Sequence, residues 1–152
     1  MTDTQFETGG PTRQYITFVA NNQEYASDIM AIREIRGWTD TTPLPHVPGY
    51  VRGVINLRGN VLPVVDLRAR LGQGMTDASA KHVIIVVNDG THTTGMLVDA
   101  VSDIITLSNT DVQPPPDVME AGEDSGIEGI AIIDGRMVTL LSTASLSAGL
   151  TA

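Results

Sequence analysis

The 152-residue chain contains no cysteine. Disulfide frameworks and thiolate metal sites are therefore excluded, and an oxidising compartment has nothing to recommend it over the cytoplasm. Long apolar runs are missing too: the longest, Val83 to Val87, has 5 residues, where about 20 would be needed to span a bilayer. The opening "MTDTQFETGGPTRQ" is polar and carries Asp3 and Glu7, the reverse of an export signal's order, so the chain reads as a soluble, cytoplasmic protein. Aromatic residues make up 4%, too few and too scattered for the basic-and-aromatic surface that takes nucleic acid. A net charge of −9 argues further against phosphate backbones and anionic lipid as direct partners.

Catalytic patterns are equally scarce. His46, His82 and His92 have neither H-x-x-x-H nor H-E-x-x-H spacing, so no metal ligand set is expected. There is no G-x-S-x-G, and Ser27, Ser102 and Ser108 have no histidine close in sequence. The glycines of "GVINLRG" turn a hairpin instead of feeding a helix, and no phosphate-binding loop occurs. Asp99 and Asp103 read as a solvated face, not an acid–base pair. No catalytic residue, metal or cofactor is expected, which leaves a binding module.

What is present is unevenly placed. Between Arg33 and Arg70 six arginines face three carboxylates, a local balance of +3 that leaves −12 elsewhere. With Lys81 the one lysine, positive charge is almost all guanidinium, suited to planar contacts with carboxylates. A hydrophobic content of 41% suffices for one domain or two very small ones sharing a core.

Strand signals dominate, and they repeat. "RQYITFVA" (13–20) and "NNQEYASD" (21–28) form one hairpin around Asn-Asn; "HVIIVV" (82–87) and "TTGMLVDAV" form a second around Asn88-Asp89-Gly90. "AIREI" (31–35) then matches "AVSDI" (100–104), and "GVINLRGNVLPVVDL" (53–67) aligns without a gap to "GIAIIDGRMVTLLST" (129–143). Gly53 falls on Gly129, Gly59 on Gly135, and Asp66 on Ser142, the last two reading as caps of the short helical stretches "LRARL" and "TASLSAGL". The hairpin turn of the first copy reads as Gly59-Asn60, leaving Arg58 beside it, where the second copy has Asp134. The connections "PLPHVPG" (43–49) and "QPPPDVMEAGEDSG" (113–126) read as loops. Short strands at regular spacing indicate two small closed β-barrels packed together, with a binding groove between them.

"DIMAIREIRGW" (28–38), "LPHVPGYVRGVINLRGNVLPVVDLRARLG" (44–72), "MLVDAVSDI" (96–104) and "QPPPDV" (113–118) resemble, in order and spacing, the CheW-type chemotaxis coupling proteins. The resemblance spans residues 13–146, between a flexible N-terminus (1–12) and a tail (147–152). It implies a mainly β fold of two intertwined five-stranded SH3-like barrels with short helical segments. It also implies a non-enzymatic adaptor, recruited to membrane receptor arrays, that bridges the cytoplasmic tip of chemoreceptors and the regulatory domain of the histidine kinase CheA. By motif, Ile32, Glu34, Val54, Arg58, Val101 and Ile104 match receptor-groove positions, and at least two of the four apolar residues among them are expected to serve mainly as core. Val61, Asp117 and Val118 match kinase-contact positions. Gln113, Val118 and Ser142 depart from the common pattern. A detached CheA-type regulatory domain and a small-ligand-binding barrel stand as alternative readings.

Overall fold

The computed structural model describes residues 11–114 and 126–143. The first hairpin consists of β1 (Thr12–Ala20) and β2 (Gln23–Asp28). Asn21 and Asn22 turn it with φ of 53° and 63°, a left-handed pair whose twist suits paired strands and which asparagine tolerates. A 3-10 turn, Ile29–Ala31, is capped by Asp28, whose carboxylate accepts the Met30 N–H at 2.9 Å. Then come β3 (Ile32–Gly37), β4 (Val51–Leu57), β5 (Asn60–Asp66) and the single-turn helix α1 (Leu67–Arg70). The second half runs β6 (Val83–Asn88), β7 (Thr93–Val98), β8 (Ala100–Ser108), a 3-10 turn, β9 (Val112–Gln113), β10 (Ile127–Ile133) and β11 (Arg136–Leu141).

The strands form two sheets, ordered β8-β1-β2-β11-β10-β9 and β3-β6-β7-β5-β4. Each sheet takes its hairpin from one half of the chain and its remaining strands from the other, so the duplicated halves have exchanged hairpins. The sheets are mainly antiparallel, and each carries one parallel pair at the same place: β2 with β11 in one, β7 with β5 in the other. The sixth strand, beyond the expected five, is the two-residue β9. Its counterpart in the smaller sheet is a single bridge from Thr42 to Val54, in the register at which Gln113 meets Ile130. Short connections thus carry each sheet's edge strand, β8 or β3, across to the opposite edge.

The duplicated glycines are where that crossing occurs. A Cβ on Gly53 would lie 2.2 Å from the Thr42 carbonyl oxygen, and one on Gly129 would lie 2.8 Å from that of Gln113. The backbone repeats as well: Asp66 N–H donates to Tyr50 O at 2.7 Å, and Ser142 N–H to Gly126 O at 2.8 Å.

Among the described residues there are three apolar clusters. Ile55, Leu57, Leu62, Val64, Ile84, Val86 and Leu97 pack inside the smaller sheet; Tyr15, Ala26, Leu107, Ala131, Val138 and Leu140 pack inside the larger. A third cluster, including Phe18, Tyr25, Leu67, Ile85, Met96 and Leu141, lies between the sheets. Phe18, Leu67 and Ile85 are fully buried there, each contributing about 1.5–3 kcal/mol by leaving water. The region between the units thus holds a core, and beside it Gln23, Tyr25, Leu71 and Gln73 line an open depression.

Two local expectations need correction. The first copy's turn centres on Arg58-Gly59, because Leu57 pairs with Asn60; Arg58 is inside the turn, not beside it. The second hairpin turns over Asp89–His92, a longer loop than Asn-Asp-Gly, with positive φ at Gly90. After Ser142 a helix begins at Thr143, and the rest of "TASLSAGL" lies outside the described residues.

Candidate functional site

β3 alternates half-buried Ile32, Glu34 and Arg36 with exposed Arg33, Ile35 and Gly37. The exposed Arg33 and Ile35 side chains are available to a partner. The β4–β5 turn brings Arg58 to β3 from the opposite edge of the sheet: Arg58 Nη2 donates to Glu34 Oε1 at 2.5 Å, with Arg36 Nη1 3.8 Å from the other oxygen. The hydrogen bond from Arg58, then its charge and that of Arg36, hold the Glu34 carboxyl below the usual range against partial desolvation. Because this folded-state value is depressed, the pair is fully formed at neutral pH and is lost only as pH falls through the lowered value.

Arg58 occupies the left-handed region at φ 51°, followed by Gly59 at 88°. Asp134 and Gly135 repeat this geometry at 50° and 79°. Asp is a residue that visits this region readily, whereas for arginine it is strained. Asn56 supports the turn by accepting the Gly59 N–H at 2.7 Å.

Behind the hairpin, Arg52 of β4 fixes the supporting loops. Its Nη1 donates at 2.9 Å both to Asp66 Oδ2 and to Thr76 O, and its guanidinium lies 5.2 Å from the Trp38 ring centroid, a cation–π distance. Asp66 is fully buried and accepts also from the Thr76 N–H and hydroxyl at 2.8 Å and from the Ala69 N–H at 3.3 Å. Capping explains only the last of these contacts.

The expected receptor positions divide. Ile32 and Val101, equivalent in the duplication, pack partly buried against the inter-sheet cluster from opposite sheets. Val54 is half-buried on β4, opposite Pro63. Ile104 stands exposed on β8, two residues before Thr106, which with Gln14, Asp28, Ile29 and Met30 lines an open depression of about 660 Å³. Val61, at the foot of the Arg58 turn, is exposed; Asp117 and Val118 lie outside the described residues. Sequence reasoning missed Met30, almost wholly exposed beside that depression, and Ile35, Ile132 and Met137. The duplication could have found Met137, since it falls on Val61.

It also missed a serine–histidine–aspartate grouping. Ser79 Oγ is 3.2 Å from His82 Nδ1, and His82 Nε2 is 3.2 Å from Asp99 Oδ1. The Ser79 N–H already donates to that Nδ1 at 3.0 Å, so the lone pair needed to deprotonate the hydroxyl is taken. Asp99, far from being merely solvated, also accepts the Asn21 N–H at 2.9 Å. The trio latches the loop before β6 to the β1–β2 turn. No cluster of metal-ligating side chains exists among the described residues, nor any helix long and apolar enough to cross a membrane.

The arrangement is thus a set of edge-strand and hairpin-tip side chains on a rigid frame, which is what a protein-binding module presents. Comparison with known proteins agrees. The CheW-like domain profile matches residues 14–149. The chain is 51% identical over 134 residues to the chemotaxis protein CheW of Rhizobium meliloti (strain 1021), covering 88% of this chain and 86% of that one. It is 31% identical to the chemotaxis protein CheW of Klebsiella aerogenes, covering 88% and 81%. The crystal structure of the scaffolding protein TtCheW from Thermoanaerobacter tengcongensis superimposes with a TM-score of 0.78 at 31% identity, covering 87% of this chain and 90% of that one. The chain with exchanged hairpins and a paired Glu34–Arg58 rim belongs to the CheW family of chemotaxis scaffold proteins.

Proposed function

We propose that this chain couples membrane chemoreceptors to the kinase CheA, without chemistry or cofactor of its own. Glu34, Val54, Arg58 and Ile104 contact the receptor's cytoplasmic tip, with Ile32 and Val101 bracing the strands beneath. Val61, together with Asp117 and Val118, contacts the kinase regulatory domain. The chain meets the membrane only through receptors, on its cytoplasmic side. Signal passes because each partner's binding free energy depends on the state of the assembly.

The observation that supports this reading most is Arg58. The turn would be better served by Asp, Asn or Gly, yet an arginine is displayed there, with 70% of its side chain exposed. A strained backbone position supports a functional reading of its side chain, and beyond its bond to Glu34 the exposed guanidinium is open to a partner. Co-sedimentation with receptor-bearing membranes and kinase tests the coupling; a chain that stays in the supernatant at saturating concentration refutes it. Arg58→Asn is expected to weaken receptor binding about tenfold while leaving the melting temperature unchanged or higher, since asparagine suits the turn. Unchanged binding removes Arg58 from the contact set.

A further inference from the structure

Sulfur occurs in this chain only as thioether, in six methionines and no cysteine. Among the described residues burial ranks them: Met96, in the inter-sheet cluster, is 2% exposed, Met75 50%, Met137 64% and Met30 86%. An oxidant in solution reaches a thioether only where the sulfur meets solvent. Met30 is therefore the described sulfur most open to oxidation, and Met96 the best protected.

Met30 is the middle residue of the 3-10 turn Ile29–Ala31, which buries none of its side chains and carries the chain from β2 in one sheet to β3 in the other. The corresponding crossing from β7 to β8 has Asp99 at the aligned position, so the fold does not require an apolar side chain there. The backbone at Met30 is pinned: the Asp28 carboxylate accepts its N–H at 2.9 Å and lies 3.6 Å from Arg13 Nη1. Its side chain borders two open depressions, one of about 660 Å³ shared with Arg13, Ile29 and Thr106, the other of about 300 Å³ shared with Asn88 and Glu128. An unbranched, polarizable side chain on a fixed backbone, placed between two depressions, suits the docking of an apolar partner surface. Exposed Ile104 stands two residues from Thr106 on the same strand, which makes this surface continuous with the receptor contact proposed for the chain.

We propose that Met30 is a reversible oxidation site: a peroxide converts its thioether to the sulfoxide, and the sulfoxide weakens docking of the chain on the receptor. The proposal rests on the receptor-coupling function. With hydrogen peroxide, an S–O bond forms as the O–O bond breaks; the sulfur is oxidised by two electrons, and the departing hydroxide takes the proton of the transferred OH and leaves as water. A dithiol, acting through a methionine sulfoxide reductase, reverses the step: the oxygen leaves as water and the dithiol becomes a disulfide. The sulfoxide puts a polar acceptor where the thioether was apolar, and a docked partner then buries that oxygen at a cost unless it supplies a donor. Because docking also covers the sulfur, the free chain is the form that is oxidised.

The test treats the full chain with hydrogen peroxide, reads oxygen uptake at each methionine by peptide mass spectrometry, and measures binding to receptor-bearing membranes by co-sedimentation once the peroxide is removed. Met30 is expected to oxidise about tenfold faster than Met96, and more slowly with receptor-bearing membranes present than with membranes lacking receptor. The oxidised chain binds receptor membranes about tenfold more weakly, and reductase with a dithiol restores the binding. Met30→Leu, which has no sulfur at this position, binds the same before and after peroxide, whereas the double variant Met75→Leu, Met137→Leu still loses binding on oxidation. The inference is overturned by Met30 oxidising no faster than Met96, by an oxidised chain that binds as the reduced one does, or by a Met30→Leu chain that loses binding to peroxide all the same. A reduced chain that does not bind receptor membranes at all refutes the coupling function and this inference with it; a chain that binds but is indifferent to oxidation refutes this inference alone.

Discussion

Replacing Asp66 by alanine is expected to destabilise the fold by about 3–5 kcal/mol, the range for breaking a buried ion pair from one side. The carboxylate accepts four hydrogen bonds, from Arg52, the Thr76 N–H, the Thr76 hydroxyl and the Ala69 N–H. Alanine leaves a largely buried guanidinium without its counter-charge, and the Thr76 and Ala69 N–H groups without their acceptor. Asp66→Asn keeps the shape and one acceptor oxygen but removes the charge, so its cost falls between wild type and alanine. Since a domain this size is stable by only about 5–15 kcal/mol, the alanine variant approaches the limit of folding. Urea denaturation measures the difference, and hydrogen exchange locates it: protection is lost first around Thr76, whose N–H is held by Asp66. A loss below about 1 kcal/mol would mean that water replaces the carboxylate and that Asp66 is only a cap.

Local chemistry in the sequence identifies Asp66 as that cap, and it is one. Its larger role depends on Arg52 and Thr76, 14 and 10 residues away, and no local pattern marks which arginine will turn inward. The duplication was legible because it is written in residue identity: Gly53 with Gly129, Gly59 with Gly135, "AIREI" with "AVSDI". A repeat says that two units are equivalent without saying which hairpin each unit uses. Both hairpins are alternating strands able to pair with either half, and only packing between sheets selects the exchange; the intertwining came from the family resemblance. The turn frame shows the opposite case. Gly59-Asn60 is attractive as a dipeptide, but the aligned Asp134-Gly135 already indicated Arg58-Gly59, the frame the strand pairing adopts. Of the apolar site residues, half-buried Ile32 and Val101 and exposed Ile104 share one pattern class in the sequence. Burial is decided by which neighbours cross over them.

Gly53→Ala is expected to cost about 3 kcal/mol, combining an unfavourable backbone region with overpacking. At φ 137° the position is one that L side chains rarely adopt, and the new Cβ would lie 2.2 Å from Thr42 O and 2.7 Å from Thr42 C. Those are backbone atoms, held by the reciprocal bonds Thr42 N–H to Val54 O at 2.8 Å and Val54 N–H to Thr42 O at 2.9 Å, so relief requires the closing bridge to separate. Gly129→Ala meets a milder obstacle: its Cβ would lie 2.8 Å from Gln113 O and 2.8 Å from Val112 Cγ1, without a positive φ, and a rotating valine relieves part of the crowding. Gly59→Ala meets no atom within 4 Å and costs only its positive φ of 88°, about 1 kcal/mol. The ranking Gly53, Gly129, Gly59 by urea denaturation separates closure from turn propensity; Gly59→Ala proving the most damaging would refute it. Function follows the same ranking. Opening the Thr42 bridge frees the edge of β4, which carries Arg58 at its tip, so Gly53→Ala shifts the guanidinium away from Glu34 and weakens receptor binding even in the fraction that stays folded. A Gly53→Ala chain that binds receptor membranes as well as wild type would show that β4 needs no closure to present Arg58.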